Sequence, residues 1–217
     1  MQAKRSLRTN TDAKSMKIIF TNTEHFRLIP DSALLLKNKP LFCPDYAKSL
    51  HAKVALVVKI NRLGKYIQEK FAETYYDEIG FAINFYNKDC LNTLIQKGFP
   101  WERATCFDGS FALSEFMKIS EIPNDTDVGA YCIRPTDEGV RNRSTQGVCN
   151  TLLQVFNINQ TLQKIPSVIS ELSACMTLKV GDYIAIEIGE LPLAPFTIND
   201  VLQLSLKDRE VVRVVLK

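Results

Sequence analysis

His25 stands in Thr21-Asn22-Thr23-Glu24-His25-Phe26, directly after a β-rich run and beside a carboxylate. An imidazole titrates near neutral pH, so this histidine is a candidate general base. A lone loop histidine is more often an ordinary surface or packing residue. The six cysteines (Cys43, Cys90, Cys106, Cys132, Cys149 and Cys175) form no CxxC pair, and His25 and His51 are the only histidines. That is a poor zinc set. The cysteines read as reduced, mostly buried thiols of a cytoplasmic protein. Glu24, Glu69, Glu73, Asp77 and Glu78 lie in polar segments and read as solvated charge, and Asp182 reads as a turn residue after Gly181. No GxSxG elbow, Walker loop or GxGxxG fingerprint is present.

The elements that must hold such residues read as strands more than helices. Runs 17–21, 53–60 (KVALVVKI) and 79–85 are β-branched and apolar, the last two as buried strands. Residues 71–76 suggest a helical turn. Residues 88–96 read as a helix with Cys90, Leu91, Leu94 and Ile95 on one face, stopped at Lys97-Gly98. A second helix is expected over 166–176, with Pro166 at its start. From 179 onward the chain is strand-like, turning at Gly181-Asp182, Asn199-Asp200 and Lys207-Asp208. Few helices among many strands predict a mainly β, α+β fold with a mixed sheet.

Lysine plus arginine total 27 against 24 aspartates plus glutamates, a formal net charge of +3 over 217 residues. So small and evenly mixed a charge supplies no basic face for nucleic acid. No apolar run approaches the ~18 residues of a membrane span, and the first residues lack a signal-type apolar region. The length suits one domain over 16–217. Residues 1–15, basic and polar, are expected to be a disordered tail, with Met16 reading as an alternative start.

Several stretches resemble the fumarylacetoacetate hydrolase family, in its acylpyruvate hydrolase and 2-hydroxyhepta-2,4-diene-1,7-dioate isomerase branch. They are MKIIF (16–20), PDSALL (30–35), LVVKINRLGKYI (56–67), FAETYYDEIGFAINFYNKD (71–89), KGFPWERATCFDGS (97–110), MTLKVGD (176–182) and the NDVLQLSLKDRE tail. Order and spacing agree over 16–122 and 165–212, while 124–164 aligns with no family motif. The resemblance implies a mixed β-roll with few short helices, often dimeric, acting on small 2-oxo acids by hydrolysis, isomerisation or decarboxylation. It implies Mg²⁺ or Mn²⁺ as a Lewis acid on the substrate's oxygens, held by a Glu-x-Glu pair on one strand and an aspartate on the next.

On this chain the Glu-x-Glu positions fall on Lys53 and Ala55, and the aspartate position on Asn84. The arginine of the same family segment becomes Lys88, and Asp89 is retained. A family lysine falls on Thr105 and another on Ile29. The expected Thr-Gly-Thr-Pro turn is replaced by Ile186-Glu187-Ile188-Gly189, and the family's loop histidine is matched loosely by His25. An ammonium repels a metal ion, Ala55 offers no donor and Asn84 offers one neutral oxygen. No metal and no cofactor are therefore expected.

Three readings follow. The first is a pseudoenzyme that binds a small carboxylate, a 2-oxo acid or a protein partner through Lys53, Asn84, Lys88 and Thr105. There Lys53 is either a tethered stand-in for the cation or simply paired with a neighbour such as Asp89. The second is a metal-independent enzyme in which Lys53 forms a Schiff base, with His25 or Cys106 moving protons. The third is a metal-dependent hydrolase, isomerase or decarboxylase whose carboxylates come from Glu24, Asp31, Asp77, Glu78, Asp89 or Glu187. An open space between Lys53, Asn84 and Thr105 favours ligand binding, and a filled one favours a structural or interaction role. A homodimer is implied by the resemblance alone.

Overall fold

The computed structural model describes residues 16–22, 24–35, 39–47, 50–122, 126–135, 148–191, 196–207 and 209–217. The expected tail at 1–15, Asp208 and part of the unaligned stretch lie outside the described residues. The elements are β1 (Ile18–Thr21), β2 (Phe26–Ile29), β3 (Leu34–Leu35), β4 (His51–Lys59), β5 (Glu78–Tyr86), α1 (Lys88–Lys97), α2 (Glu102–Thr105), β6 (Phe111–Leu113), β7 (Met117–Lys118), β8 (Asp127–Pro135), β9 (Val148–Asn157), α3 (Asn159–Cys175), β10 (Tyr183–Glu190), β11 (Val201–Leu206) and β12 (Arg209–Val215). Short 3-10 turns join them, including one over Glu69–Tyr75 where a helical turn was expected.

The larger sheet runs β2-β1-β10-β4-β5-β6-β3, with β7 also on β5, and the smaller runs β12-β11-β8-β9. β1 lies parallel to β10 and β3 to β6, and the other pairings are antiparallel. The mixed, strand-rich architecture expected from the sequence is present.

β4 and β5 explain why their apolar runs are nearly continuous: both faces of the central sheet are covered. Alternate residues point to opposite sides. Ala52, Val54, Leu56 and Val58 face the main core, with Val128, Ala130, Leu202, Leu204, Val212 and Val214 of the small sheet and Ile165, Val168, Ile169 and Leu172 of α3. Ala55 and Val57 face a second core with Ile18, Phe20, Ile29, Ala82 and Phe111. Each fully buried leucine or isoleucine side chain contributes about 1.5–3 kcal/mol. On the second face the apolar set gives way at one end to Lys53, Asn84 and Glu187.

One helix expectation holds and the other is corrected. α1 keeps its bounds, with Asn87 capping the Cys90 N–H and Gly98 closing it at φ 66°. However, none of its residues is buried and Ile95 is 49% exposed, so its apolar stripe does not enter the core. α3 starts at Asn159 and holds Pro166 in its interior. Burial of Ile165, Val168, Ile169 and Leu172 sustains the helix despite the hydrogen bond that proline cannot make. The cysteines are also less enclosed than expected. All six are free thiols, but only Cys132 is buried; Cys149 on edge strand β9 and Cys175 at the end of α3 are exposed.

Candidate functional site

Antiparallel pairing sets Lys53 directly across from Asn84, with Ala55 across from Ala82. On the other side of β4, β10 pairs Glu187 with Ala55 and Glu190 with Lys53, and a one-residue bulge falls between Glu187 and Gly189. Simple alternation would send residues 187 and 190 to opposite faces. The bulge absorbs Ile188, so both glutamates reach side chains of the same face. A Cβ on Gly189 would meet the Phe156 ring at 2.8 Å, which is why the bulge carries a glycine.

Lys53 Nζ donates to both oxygens of Glu187 at 3.0 Å. The partner is Glu187, on the neighbouring strand, and not Asp89. The pair keeps 23% and 16% side-chain exposure, so solvent still reaches it. Asn84 is wholly buried. Its amide donates to the Thr105 and Ser110 carbonyls at 3.3 and 3.2 Å, tying β5 to the segment after α2. Its oxygen accepts from Arg27 Nη2 at 2.6 Å.

Arg27 was not singled out from the sequence. It reaches the site from edge strand β2, with its guanidinium carbon 4.2 Å from the Phe20 ring centroid. Its Nε is buried without a hydrogen-bond partner. Burial lowers the guanidinium's pKa from its usual value, and the Cys106 thiol and the Glu187 and Glu102 carboxylates partly offset that. Burial likewise raises Cys106, against the lowering pull of Thr105 and Arg27. Thr105 itself is buried, with its hydroxyl donating to the Trp101 carbonyl at 3.1 Å. Between Asn84 and Thr105 a hydrogen-bond network therefore runs to Arg27, while Lys53 beside it bonds only Glu187 among the described residues.

The other candidates sit around this network. Lys88 lies at the start of α1 and reaches Glu190 at 3.4 Å, where the Tyr86 hydroxyl also donates at 2.5 Å. Desolvation pulls the Glu190 carboxyl upward, but Tyr86 and Lys88 together hold it below the ordinary carboxylate value. His51, across from Tyr86, has its pKa lowered by burial and by Lys88, against Glu190 and Asp89. His25 is exposed at the β1–β2 turn, its ring edge-on to Trp101 at 5.3 Å. No hydrogen bond joins its imidazole to Lys53, Asn84 or Thr105 among the described residues.

A divalent cation of the Mg²⁺ or Mn²⁺ type needs several oxygen donors. At the three positions implied by the resemblance stand an ammonium bound to Glu187, a methyl group, and an amide whose one oxygen accepts from Arg27. The residues do not fit the metal. Nor do the alternative carboxylates gather. Asp77 accepts from Asn61, Glu78 pairs with Lys59, and Glu24, Asp31 and Asp89 are exposed. Among the described residues no three His, Cys, Asp or Glu side chains are placed as a metal-ligand set.

Three comparisons with known proteins bear on this geometry. A family model described as fumarylacetoacetate (FAA) hydrolase C-terminal matches residues 4–186, running through the stretch where no motif aligned. The chain is 27% identical over 180 residues to the mitochondrial oxaloacetate tautomerase fahd-1 of Caenorhabditis elegans, covering 82% of this chain and 76% of that one. It is 26% identical over 160 residues to a mitochondrial oxaloacetate decarboxylase of Dictyostelium discoideum, covering 73% and 67%. In fold it matches the crystal structure of fumarylpyruvate hydrolase from Pseudomonas aeruginosa in complex with Mn²⁺ and pyruvate. The TM-score is 0.71 at 17% identity, over 93% of this chain and 88% of that one.

Proposed function

Because the chain belongs to the fumarylacetoacetate hydrolase family, we propose that it binds a small carboxylate of the 2-oxo acid class without the divalent-cation chemistry its resemblance implies. One observation carries this reading: Lys53, at a metal-ligand position, holds Glu187 in a two-oxygen ion pair. A fixed ammonium takes the place of the mobile cation, and its carboxylate partner comes from the neighbouring strand. The pair supplies local charge but no open coordination position, so Lewis-acid activation of a bound oxo acid has no seat. The test is calorimetry with pyruvate, oxaloacetate and oxalate, with Mn²⁺ or with EDTA, alongside acylpyruvate hydrolysis and oxaloacetate decarboxylation assays. Saturable binding indifferent to EDTA, with no Mn²⁺-dependent turnover, is expected. Turnover that requires Mn²⁺ would sink the reading.

A second reading is metal-free keto–enol exchange of a 2-oxo acid. Relatives named oxaloacetate tautomerase favour it, as does the Lys53–Glu187 pair itself. Tautomerisation breaks no bond between heavy atoms. A base takes a proton from the carbon beside the carbonyl while an acid gives one to the carbonyl oxygen. Glu187 and Lys53 are one such base and acid, 3.0 Å apart. The decay of the oxaloacetate enol, followed by its ultraviolet absorbance with EDTA present, distinguishes the two. A rate above buffer that disappears in Glu187→Gln favours exchange, and a buffer rate favours binding alone.

A further inference from the structure

Arg27 differs from the ion-paired cations among the described residues. Lys17, Lys53, Lys59, Lys88, Arg134 and Arg213 each meet a carboxylate. Arg27 meets none within ion-pair distance among the described residues. Glu187 and Glu102 act on it only through space. Glu187 gives both its oxygens to Lys53.

The guanidinium is nonetheless fixed. Phe20 lies under its plane and Asn84 accepts one of its hydrogens. Asn84 cannot swing away, because its own amide is held by the Thr105 and Ser110 carbonyls. Arginine carries five N–H donors in a flat fork. One is used on Asn84, another faces the Cys106 thiol, and Nε–H is buried and unpaired. Enclosing a cation with unpaired donors is destabilising, since each lost hydrogen bond goes uncompensated. A planar anion laid against the fork would remove that penalty, because two parallel N–H···O bonds match a carboxylate. The Cys106 thiol is a further hydrogen-bond partner of the guanidinium, while Nε itself has none, so the thiol is the side chain an incoming oxygen would displace.

We propose that Arg27 is the carboxylate-binding residue of this site, taking the carboxylate of one small 2-oxo acid on the free edge of its guanidinium. Lys53, neutralised by Glu187, then sets the local field and does not hold the ligand. This rests on the carboxylate-binding reading above and assigns its binding group.

Isothermal calorimetry with pyruvate on the wild type, Arg27→Gln, Arg27→Lys and Glu187→Gln tests it, with inorganic phosphate as the competing anion. Arg27→Gln should weaken pyruvate at least about tenfold, as loss of a charge-assisted two-point contact does. Arg27→Lys should fall in between, since a point charge replaces a fork. Glu187→Gln should tighten binding, because one negative charge facing the guanidinium is gone. Arg27→Gln binding within about threefold of wild type would overturn the assignment. So would phosphate displacing pyruvate at lower concentration than pyruvate itself requires. If the wild type binds no 2-oxo acid at all, the underlying reading of the site fails, and this assignment with it. Should Arg27→Gln not fold, the arginine side-chain N–H resonances of the wild type decide. One buried Nε–H signal should move saturably with pyruvate, and no movement would overturn the assignment.

Discussion

Asp182, just before β10, and Glu187, within it, are carboxylates that live very differently. Asp182 is wholly buried and takes hydrogen bonds from the Lys17 N–H, the Lys17 ammonium and the Lys179 N–H. Every strong acceptor site faces a donor, and two of those donors are backbone. Toward the strand's end, Glu187 meets a single ammonium and stays partly open to solvent, near a guanidinium that meets no carboxylate within ion-pair distance among the described residues. The first arrangement closes a turn and pins β1 to β10. The second leaves charge at the mouth of a sheet face, held in place yet reachable. Burial with full satisfaction marks a structural carboxylate, while partial exposure with one partner and an orphaned donor beside it marks a site.

The sharpest way to break this contrast is to remove the structural end. Asp182→Ala strands two backbone N–H groups and the Lys17 ammonium, so chemical denaturation should show a loss of about 3 kcal/mol. A loss under about 1 kcal/mol would mean that Asp182 is no staple. Asn84→Ala comes next, because it frees two carbonyls and the Arg27 contact in a buried place. About 2 kcal/mol is expected by the same measurement, with carboxylate binding weakened as Arg27 loses its support. Glu187→Gln should change stability by less than about 1 kcal/mol, since a partly exposed pair is screened by water. A loss as large as that of Asp182→Ala would erase the distinction between the two ends.

The smallest effect is a pH slope confined to the site end, where His51 sits beside Tyr86. Burial lowers its folded-state pKa, so the unfolded chain binds more protons between that value and the ordinary one of about 6.5. Its contribution to stability is thus complete above about pH 6.5 and declines as pH falls toward the folded value. Urea midpoints measured across this range should drop on acidification, and His51→Gln should flatten the drop. An unchanged slope would remove His51 from the account.

The fold was legible because its central strands are buried on both faces. Runs such as KVALVVKI have few alternatives, and the Gly181, Asn199 and Lys207 turns adopt the left-handed backbone that breaks such runs. The positions of Lys53, Ala55 and Asn84 were legible through the family resemblance alone, and they do stand together on one face of β4 and β5. What they bond was not. The Arg27–Asn84 and Lys53–Glu187 contacts join residues far apart in the chain, and pairing register brings them together where no local pattern points to it. Arg27 sits in Phe26-Arg27-Leu28-Ile29, a four-residue edge strand that carries no motif. One signal existed: alternation around Phe20 and Ile29 turns Arg27 to the same face as two core residues, an unusual place for a guanidinium. α3 was misjudged at its start because an interior proline reads as a beginning when the packing that tolerates it is unseen.

The bulge at Ile188 makes the acidity of this face a matter of parity. In an unbroken strand, two residues an odd number of steps apart point in opposite directions, and Glu187 and Glu190 are three steps apart. One surplus residue, absorbed without pairing, converts odd to even. Deleting Ile188 would leave the two carboxylates on a common side of an unbroken strand. Regularising the strand while keeping Ile188 would turn Glu190 toward the apolar core and strip Tyr86 and Lys88 of their shared acceptor. The charge pattern at the mouth of this sheet is therefore kept by a count of residues as much as by their identity.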